Sequence, residues 1–537
     1  MRVTLSLLWA DTQAVKQWFA TQTLSKILVL FGFLVLGGFI SFGALFFSNI
    51  FFFNLSQYQL YGELTAEYLI HAAILILLWL ALGSSLIAQI TFLLNPSKNV
   101  DYLMTLPIKP QGIVDWYFMR SFFINIFPLL IVLGPIAMSF AQVFTGGVSL
   151  LFLLRFLFAV FALVIIVNTL GGIIAYLCAS MAKGKGVAGA FVTALFFLVS
   201  TFVLLQAIFP KEMTLLYRAS PEEFFVLYNS LPLSNNYLPT YWLTHVVVSG
   251  FDIYAFLTII LCSFLIFIST AVQSQKIIPL YQRLKERAFA ASFPRAYSRA
   301  GFLHTRSPLL LKDWLSLLRS PSEFGYGLFL IAMAIFFFLF FTRVAVFRPP
   351  DMAGKINSII FSFVWLLFFT TAYLMRLVFP LMAREGKTRW YILTLPLHRD
   401  LLVLSKVFLG CLLVIPHIVF GVLIWFVMPY AKEYIFPLSV MSTFAIILLA
   451  LVQGFLGAVY PNFLQGDNPE RVSTSMMGIM TLFLSSGIIA LVAYCLHSIL
   501  QNGDSMQLIM SFLLSFAICV IATLFLYTRY TVSRYRV

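Results

Sequence analysis

The side chains with the greatest capacity for metal binding or nucleophilic chemistry in this sequence are six histidines and five cysteines. They are His71, His245, His304, His398, His417 and His497, and Cys178, Cys262, Cys411, Cys495 and Cys519. Metal sites need such ligands at short fixed spacings, and neither set shows them. The cysteines lie inside apolar runs, where a free thiol behaves as a small hydrophobe. We expect no metal site, no catalytic residues and no enzyme.

A nucleotide site is also not predicted. The run GKGVAG at 184–189 matches the pattern G-x-G-x-x-G, but it follows a long apolar run instead of a strand and has no surrounding βαβ unit. It is better interpreted as a turn. The phosphate-binding pattern G-x-x-x-x-G-K-[ST] does not occur anywhere in the sequence. We therefore expect no nucleotide cofactor on this chain.

Three residues are candidates for a substrate path. Arg155 is the one charge well inside an apolar run, where it could either extend to the outer membrane interface or face a cavity and attract an anionic group. Phe52 and Phe340 lie in Phe-rich stretches at 46–53 and 336–347. These stretches could line an apolar path or face lipid.

The composition shows what kind of protein must position these residues. Of the 537 residues, 61% are apolar and 10% charged, with a mean hydropathy of +0.99. So few charges cannot cover a water-facing surface, which excludes a soluble enzyme, a disordered chain and a secreted disulfide scaffold. The long apolar runs exclude an outer-membrane barrel. The net charge of +15 favours Lys and Arg retained on the cytoplasmic side of a membrane over binding to nucleic acid.

The apolar runs predict an all-α polytopic membrane protein with twelve transmembrane helices. They lie near 27–53, 69–94, 120–142, 147–179, 187–209, 252–274, 325–347, 357–382, 404–428, 436–459, 474–497 and 506–528. Most Lys and Arg residues fall on one side when both termini are placed in the cytoplasm, which supports that orientation. The first run is too long for the core of a cleavable signal peptide.

A short motif occurs twice at an offset of 289 residues. Residues 102–108 read YLMTLPI and residues 391–397 read YILTLPL, with the Tyr, Thr, Leu and Pro positions identical. The offset places each copy between the second and third run of a set of six. The sequence therefore predicts two parallel six-helix repeats.

Each predicted half opens with an amphipathic stretch. Apolar residues recur at helical spacing from Leu5 to Phe19 and again in SPLLLKDWLSLLRSP at 307–321. We expect both stretches to lie along the inner membrane surface. The predicted organisation is a first half at 1–275, a basic cytoplasmic linker at 276–306 and a second half at 307–537.

This pattern resembles the permease subunits of the ATP-binding cassette type-2 exporters. The matching stretches are NPSKNVDYLMTLPIKPQGIVDWYFMR at 95–120, REGKTRWYILTLPLHRDLLVLSK at 384–406 and GAVYPNFLQGDNPERVSTSMMG at 457–478. The first half departs from the family pattern, because NPSKNVD stands where the second half has REGK.

The resemblance implies a fused permease of an ATP-driven exporter in a bacterial inner membrane. It also implies that the segment with the duplicated motif docks on a separate ATPase. The coupling residues would be Tyr102, Leu103, Met104, Thr105, Leu106, Pro107, Arg384, Glu385, Gly386, Lys387, Trp390, Tyr391, Leu393, Thr394, Leu395 and Pro396. The implied partners are two copies of the ATPase, which would carry ATP and Mg²⁺, together with membrane lipid and a hydrophobic or amphiphilic substrate.

Two other functions fit the same number of helices. A twelve-helix secondary carrier of the major-facilitator kind needs charged residues near the membrane midplane, and carboxylates are almost absent from the apolar runs. A membrane scaffold without transport activity would use the same helices without turning over ATP. We expect the exporter permease.

Overall fold

The structure, a computed structural model, consists of helices throughout the residues that it describes. These are 6–7, 9–13, 16–17, 24–57, 59–94, 110–181, 186–208, 221–272, 308–319, 321–343, 352–388, 399–428, 434–459, 461, 472–473 and 475–502. The chain divides into two compact units, unit 1 at Met1–Pro294 and unit 2 at Arg295–Val537. The predicted linker at 276–306 lies outside the described residues.

Unit 1 contains eight helices of the described part of the chain. They are α1 (Leu24–Ser56), α2 (Gln59–Leu94), α3 (Pro110–Phe144), α4 (Leu150–Met181), α5 (Gly186–Ile208), α6 (Pro221–Ser230), α7 (Pro239–Val248) and α8 (Ile253–Val272). Helix α4 is central and packs against α2, α3, α7 and α8. Its small and β-branched residues, such as Val164 and Val167, are completely buried.

Unit 2 contains six helices of the described part. They are α9 (Pro308–Arg319), α10 (Pro321–Arg343), α11 (Met352–Leu377), α12 (Arg399–Val427), α13 (Ile435–Val459) and α14 (Met476–Asn502). Two 3₁₀ turns, Phe379–Leu381 and Ala383–Thr388, follow α11. Helix α11 is central, and the largest buried side chain, Trp425 of α12, stacks on its Phe363 at 6.2 Å between ring centroids.

Eight described helices are long and apolar enough to cross a membrane. The eight spans are Tyr61–Gln89, Asp115–Phe144, Leu150–Met181, Ile253–Val272, Ser358–Gly386, Phe408–Val427, Ile435–Val459 and Met476–Ser498. Shorter apolar helices cover Ile40–Phe53, Leu195–Ile208 and Gly325–Phe336. The all-helical class and the integral membrane character are therefore established. The finer prediction of twelve helices in two parallel repeats is not established, and its last helix at 506–528 lies outside the described residues.

The segment between the fifth and sixth predicted helices of the first half folds onto the unit. Helix α7 buries Leu243, Val246 and Val247 against α2, α4 and α8. Its Thr240 Oγ1 lies 2.6 Å from Nε2 of the buried His71 on α2. Within the described residues of this stretch, Pro239, Tyr241 and Trp242 thus belong to a short helix that packs on the membrane helices.

The amphipathic stretch of the second half is helix α9, and its apolar face packs on protein. Leu310 and Leu317 belong to the buried core of unit 2, whereas Trp314 is 38% exposed. The expected position of this stretch along the inner membrane surface stays a prediction. Part of that face is covered because α9 packs along the start of α12.

Gly457 on α13 tests a close contact between a helix and the backbone of the turn after α11 in unit 2. A Cβ atom added there would lie 2.0 Å from the carbonyl oxygen of Phe379, whereas one added at Gly487 of α14 has no atom within 4 Å. We expect Gly457→Ala to destabilise the protein by about 2 kcal/mol, since backbone must move to relieve the overlap. Gly487→Ala is the matched control and should be neutral or slightly stabilising. Thermal unfolding in detergent measures both, and equal effects would contradict the packing.

Candidate functional site

Six charged side chains meet in unit 2 at the end of α11. They come from α9, from α10, from the turn Ala383–Thr388 and from α12. We call them the charge cluster: Lys312, Asp313, Glu323, Arg384, Glu385 and Lys406. Three are cationic and three anionic, so the cluster is electrically balanced.

Lys406 lies at the centre of the charge cluster. Its ammonium group contacts Asp313 Oδ2 at 2.7 Å and donates a hydrogen bond to Glu385 Oε1, and its side chain is 1% exposed. Lys312 donates to the other oxygen of Glu385 at 2.7 Å. An ammonium group buried to this degree stays charged only when carboxylates compensate its lost hydration. The carboxylates of α9 and of the turn therefore hold the start of α12.

A second ion pair extends the charge cluster to α10. Arg384 Nη2 lies 2.6 Å from Glu323 Oε2, and both side chains are largely buried. Tyr326 lies one turn after Glu323 on α10. The guanidinium carbon of Arg376, in the last turn of α11, lies 4.6 Å from the centre of the Tyr326 ring, a cation–π contact. The end of α11 is thus fixed to α10 twice by cations.

The backbone changes direction at Gly386, within the turn Ala383–Thr388. Its φ of 48° and ψ of −131° are accessible to glycine and strained for other residues. The chain can therefore leave the bundle directly after Glu385. The segment 389–398 lies between two described residues, Thr388, three positions after Glu385, and Arg399, about two helical turns before Lys406. The contact between Lys406 and Glu385 accordingly ties together both ends of the segment that carries the second YxxTLP motif.

The stem of Lys406 also borders a cavity of ≈ 20 Å³. The wall opposite includes Gly410, Cys411 and Gly454. This volume holds about one water molecule. The core is therefore less tightly packed directly beside the charge cluster, which leaves room for side-chain rearrangement there.

In unit 1 the buried polar groups are neutral. The Oδ1 atom of the completely buried Asn168 accepts hydrogen bonds from Ser85 at 3.1 Å, Ser121 at 3.1 Å and Asn125 at 3.0 Å. Gln89 donates to the backbone carbonyl of Asn168 at 3.0 Å. This group joins α2, α3 and α4 in an apolar surrounding, where interhelical hydrogen bonds take the place of bonds to water.

The structure brings together only a few of the residues predicted for coupling. Arg384 and Glu385 belong to the charge cluster, Gly386 ends the turn, and Lys387 follows it. The remaining predicted coupling residues, 102–107 and 390–396, lie outside the described residues. Their role in coupling stays a prediction.

Of the residues predicted for a substrate path, two lie in unit 1 and one lies in unit 2. Arg155 of α4 reaches the turn between α7 and α8, where a Cβ atom added at Gly250 would lie 3.0 Å from its Nη2. Phe52 is buried in unit 1 in edge-to-face contact with Phe140 and Phe144. Phe340 lies in α10, and its side chain is outside the description.

Sequence reasoning missed four members of the charge cluster: Lys312, Asp313, Glu323 and Lys406. The signal that could have identified them is the combination of an acid and bases in the amphipathic stretch 307–321 with the bases flanking the motif at 391–397. Charges that border an apolar run are equally typical of exposed anchors at a membrane interface. Only the packing of α9 on α12 shows that Asp313 and Lys406 are buried.

Fold and site together define an all-helical integral membrane protein with a buried charge cluster at the end of one helix bundle. Over residues 20–532 the sequence matches the family described as "Putative ATP-binding cassette". The match spans nearly the whole chain, so the protein belongs to this family. No curated protein and no solved structure matches the chain.

The family match corrects several expectations. The assignment to the permease family is wrong, because the matching family is described as an ATP-binding cassette. The expectations of a permease served by separate ATPase subunits, of no enzyme, and of no ATP or Mg²⁺ on this chain are wrong for the same reason. These expectations depended on the missing phosphate-binding motif, and the family match covers the chain without it. Binding of two partner ATPase chains stays a prediction.

The described residues do not fit a bound nucleotide. The run Gly386-Lys387-Thr388 matches the end of the phosphate-binding pattern, but Leu381 stands where its first glycine belongs, and a helix precedes it instead of a strand. Within the described ranges no group of three or more His, Cys, Asp or Glu side chains could hold a metal ion. Nucleotide contacts of this chain would therefore have to come from residues outside those ranges.

Removal of the central cation tests the charge cluster. We expect Lys406→Met to destabilise the protein by about 3 kcal/mol, because the buried carboxylates of Asp313 and Glu385 would lose their buried cation and keep only the more exposed Lys312. Lys355→Met, a half-buried position of α11 outside the charge cluster, is the control and should have a small effect. Thermal unfolding in detergent compares the two. Adding Asp313→Asn to Lys406→Met should recover part of the loss, and strict additivity of the two changes would contradict the cluster.

The polar group of unit 1 gives a second stability test. Asn168→Leu removes the acceptor shared by Ser85, Ser121 and Asn125, and we expect it to cost about 2 kcal/mol. Thr258→Val is the control, because its hydroxyl bonds only to the preceding turn of its own helix. Unfolding in detergent followed by tryptophan fluorescence measures both. A neutral Asn168→Leu would show that the network contributes nothing.

Proposed function

We propose that the chain is an integral membrane transport protein of the ATP-binding cassette class. Two findings support this: the family match over residues 20–532 and the eight helices able to cross a membrane. The proposed location is a bacterial inner membrane with both termini in the cytoplasm, which the distribution of Lys and Arg in the sequence favours.

The observation that carries the proposal is the position of the charge cluster. It joins α9, the end of α11 and the start of α12, and it lies at both ends of the segment 389–398. A displacement of that segment therefore acts directly on two membrane helices and on α9. Nucleotide-dependent movement would reach the membrane helices of unit 2 by this route.

Charges are well suited to such a link. Once buried, the ion pairs resist rearrangement until a new partner or water replaces the old one, so the cluster moves as a unit between discrete arrangements. The cavity beside Lys406 gives the lysine stem space for such a change.

The proposed substrate is a hydrophobic or amphiphilic molecule. Buried polar groups in the described spans are mostly amides and hydroxyls, such as Asn168 and Ser85 in unit 1 and Gln453 and Ser485 in unit 2. Such groups make hydrogen bonds without carrying charge, which suits partly polar lipids, peptides or drugs better than ions.

The experiment measures ATP-dependent accumulation of a hydrophobic fluorescent dye in inside-out membrane vesicles from cells that produce the full chain. Vesicles from cells without the chain supply the background. We expect Lys406→Arg, which keeps the charge, to retain part of the accumulation and Glu385→Gln to lose about 90% of it, because the ammonium group then loses a charged partner. Lys355→Met should resemble the unchanged protein.

Amounts of folded protein in the vesicles are compared by size-exclusion chromatography in detergent. Unchanged accumulation in a folded Glu385→Gln protein would contradict the role of the charge cluster. Accumulation that does not depend on ATP in the unchanged protein would contradict the proposed class.

A further inference from the structure

The N-terminal residues of unit 1 make a contact that resembles one in the charge cluster. Residues 9–13 are helical, and Asp11 Oδ2 accepts a hydrogen bond of 2.8 Å from the indole nitrogen of Trp116. Trp116 lies near the start of α3 and is 7% exposed. The guanidinium carbon of Arg120, one turn later, lies 5.6 Å from the centre of the Trp116 ring.

The same contact exists in unit 2 with other chemistry. There Asp313 Oδ2 of the amphipathic helix α9 forms an ion pair of 2.7 Å with the ammonium group of Lys406, near the start of α12. Trp116 follows Tyr102 of the first motif by 14 residues, and Lys406 follows Tyr391 of the second motif by 15. In each unit an aspartate of the opening amphipathic segment is thus joined to the helix that comes directly after a YxxTLP motif.

The two contacts differ in what they require of the aspartate. The indole N–H is a neutral donor and needs only an acceptor oxygen, which an asparagine also offers. The buried ammonium group of Lys406 needs negative charge. The first contact is a single hydrogen bond, whereas the second belongs to a cluster of six charges.

We propose that Asp11 and Asp313 are equivalent positioning residues, each of which holds the amphipathic segment of its unit against the helix after the motif, by a hydrogen bond in unit 1 and by charge in unit 2. The N-terminal segment is consequently released at lower cost than α9. The amphipathic segments of the two units are therefore released at different cost, although both units carry the YxxTLP motif.

Hydrogen–deuterium exchange of the full-length protein in detergent, read by mass spectrometry, tests this for residues 9–13 and 308–319. Asp11→Asn should leave exchange of 9–13 close to that of the unchanged protein. Asp11→Leu and Trp116→Phe should each accelerate it about fivefold to tenfold, the effect of losing one hydrogen bond. Trp116→Phe keeps an aromatic ring next to Arg120, so it isolates the N–H donor.

In unit 2 we expect the opposite result, namely that asparagine does not replace the aspartate. Asp313→Asn should accelerate exchange of 308–319 about a hundredfold, because Lys406 loses a charged partner, and Asp313→Glu should restore most of the protection. Equal acceleration by Asp11→Asn and Asp11→Leu would overturn the proposal for unit 1, since the contact would then be ionic. Equal tolerance of asparagine at both positions would overturn the difference between the units.

If Asp313→Asn does not yield folded protein, the comparison of Asp11→Asn, Asp11→Leu and Trp116→Phe still decides the case for unit 1. None of these measurements uses ATP or a substrate. The outcome is therefore independent of the proposed transport function.

Discussion

The cost of burying charge is the constraint on which the rest of unit 2 depends. Lys406 is 1% exposed in a chain with only 10% charged residues, and its hydration must be replaced by Asp313 and Glu385. Those partners come from segments far apart in sequence. Pairing them fixes where α9 lies, where the turn after α11 ends and where α12 begins. The close approach of α13 to the backbone of Phe379, which Gly457 permits, then closes the bundle around the same point.

The contacts described in unit 1 do not carry the cost of burying charge. Its central contacts are amide and hydroxyl hydrogen bonds around Asn168, and its amphipathic segment is attached through the neutral indole of Trp116. Neutral donors cost less to bury and bind less selectively. The amphipathic segment is held by charge in unit 2 and by a neutral hydrogen bond in unit 1. The cost of releasing it therefore differs between two units that share the YxxTLP motif.

The family description names ATP binding, whereas the described helices are those of a membrane protein. An ATP-binding cassette family covers residues 20–532, while the described residues are long apolar helices without a phosphate-binding loop. Lys387 and Thr388 follow Gly386 in the order that phosphate binding requires, but Leu381 and the preceding helix do not fit. What the described part contributes is the set of helices able to cross a membrane and the charge cluster, on which the proposed function depends.

The sequence by itself determined the class of structure. Length, low charge and uninterrupted apolar runs leave only a helical membrane protein, because backbone polar groups in lipid must be paired within each segment. Most helix positions followed from the same runs, whereas the coupling role of Arg384, Glu385 and Gly386 stays a prediction. Tertiary structure alone decided which charges are buried. Asp313 and Lys406 lie 93 residues apart, and each borders an apolar run as an exposed anchor would. Their contact depends on how α9 packs against α12, and hydrophobic periodicity carries no information about which charged neighbours such packing encloses.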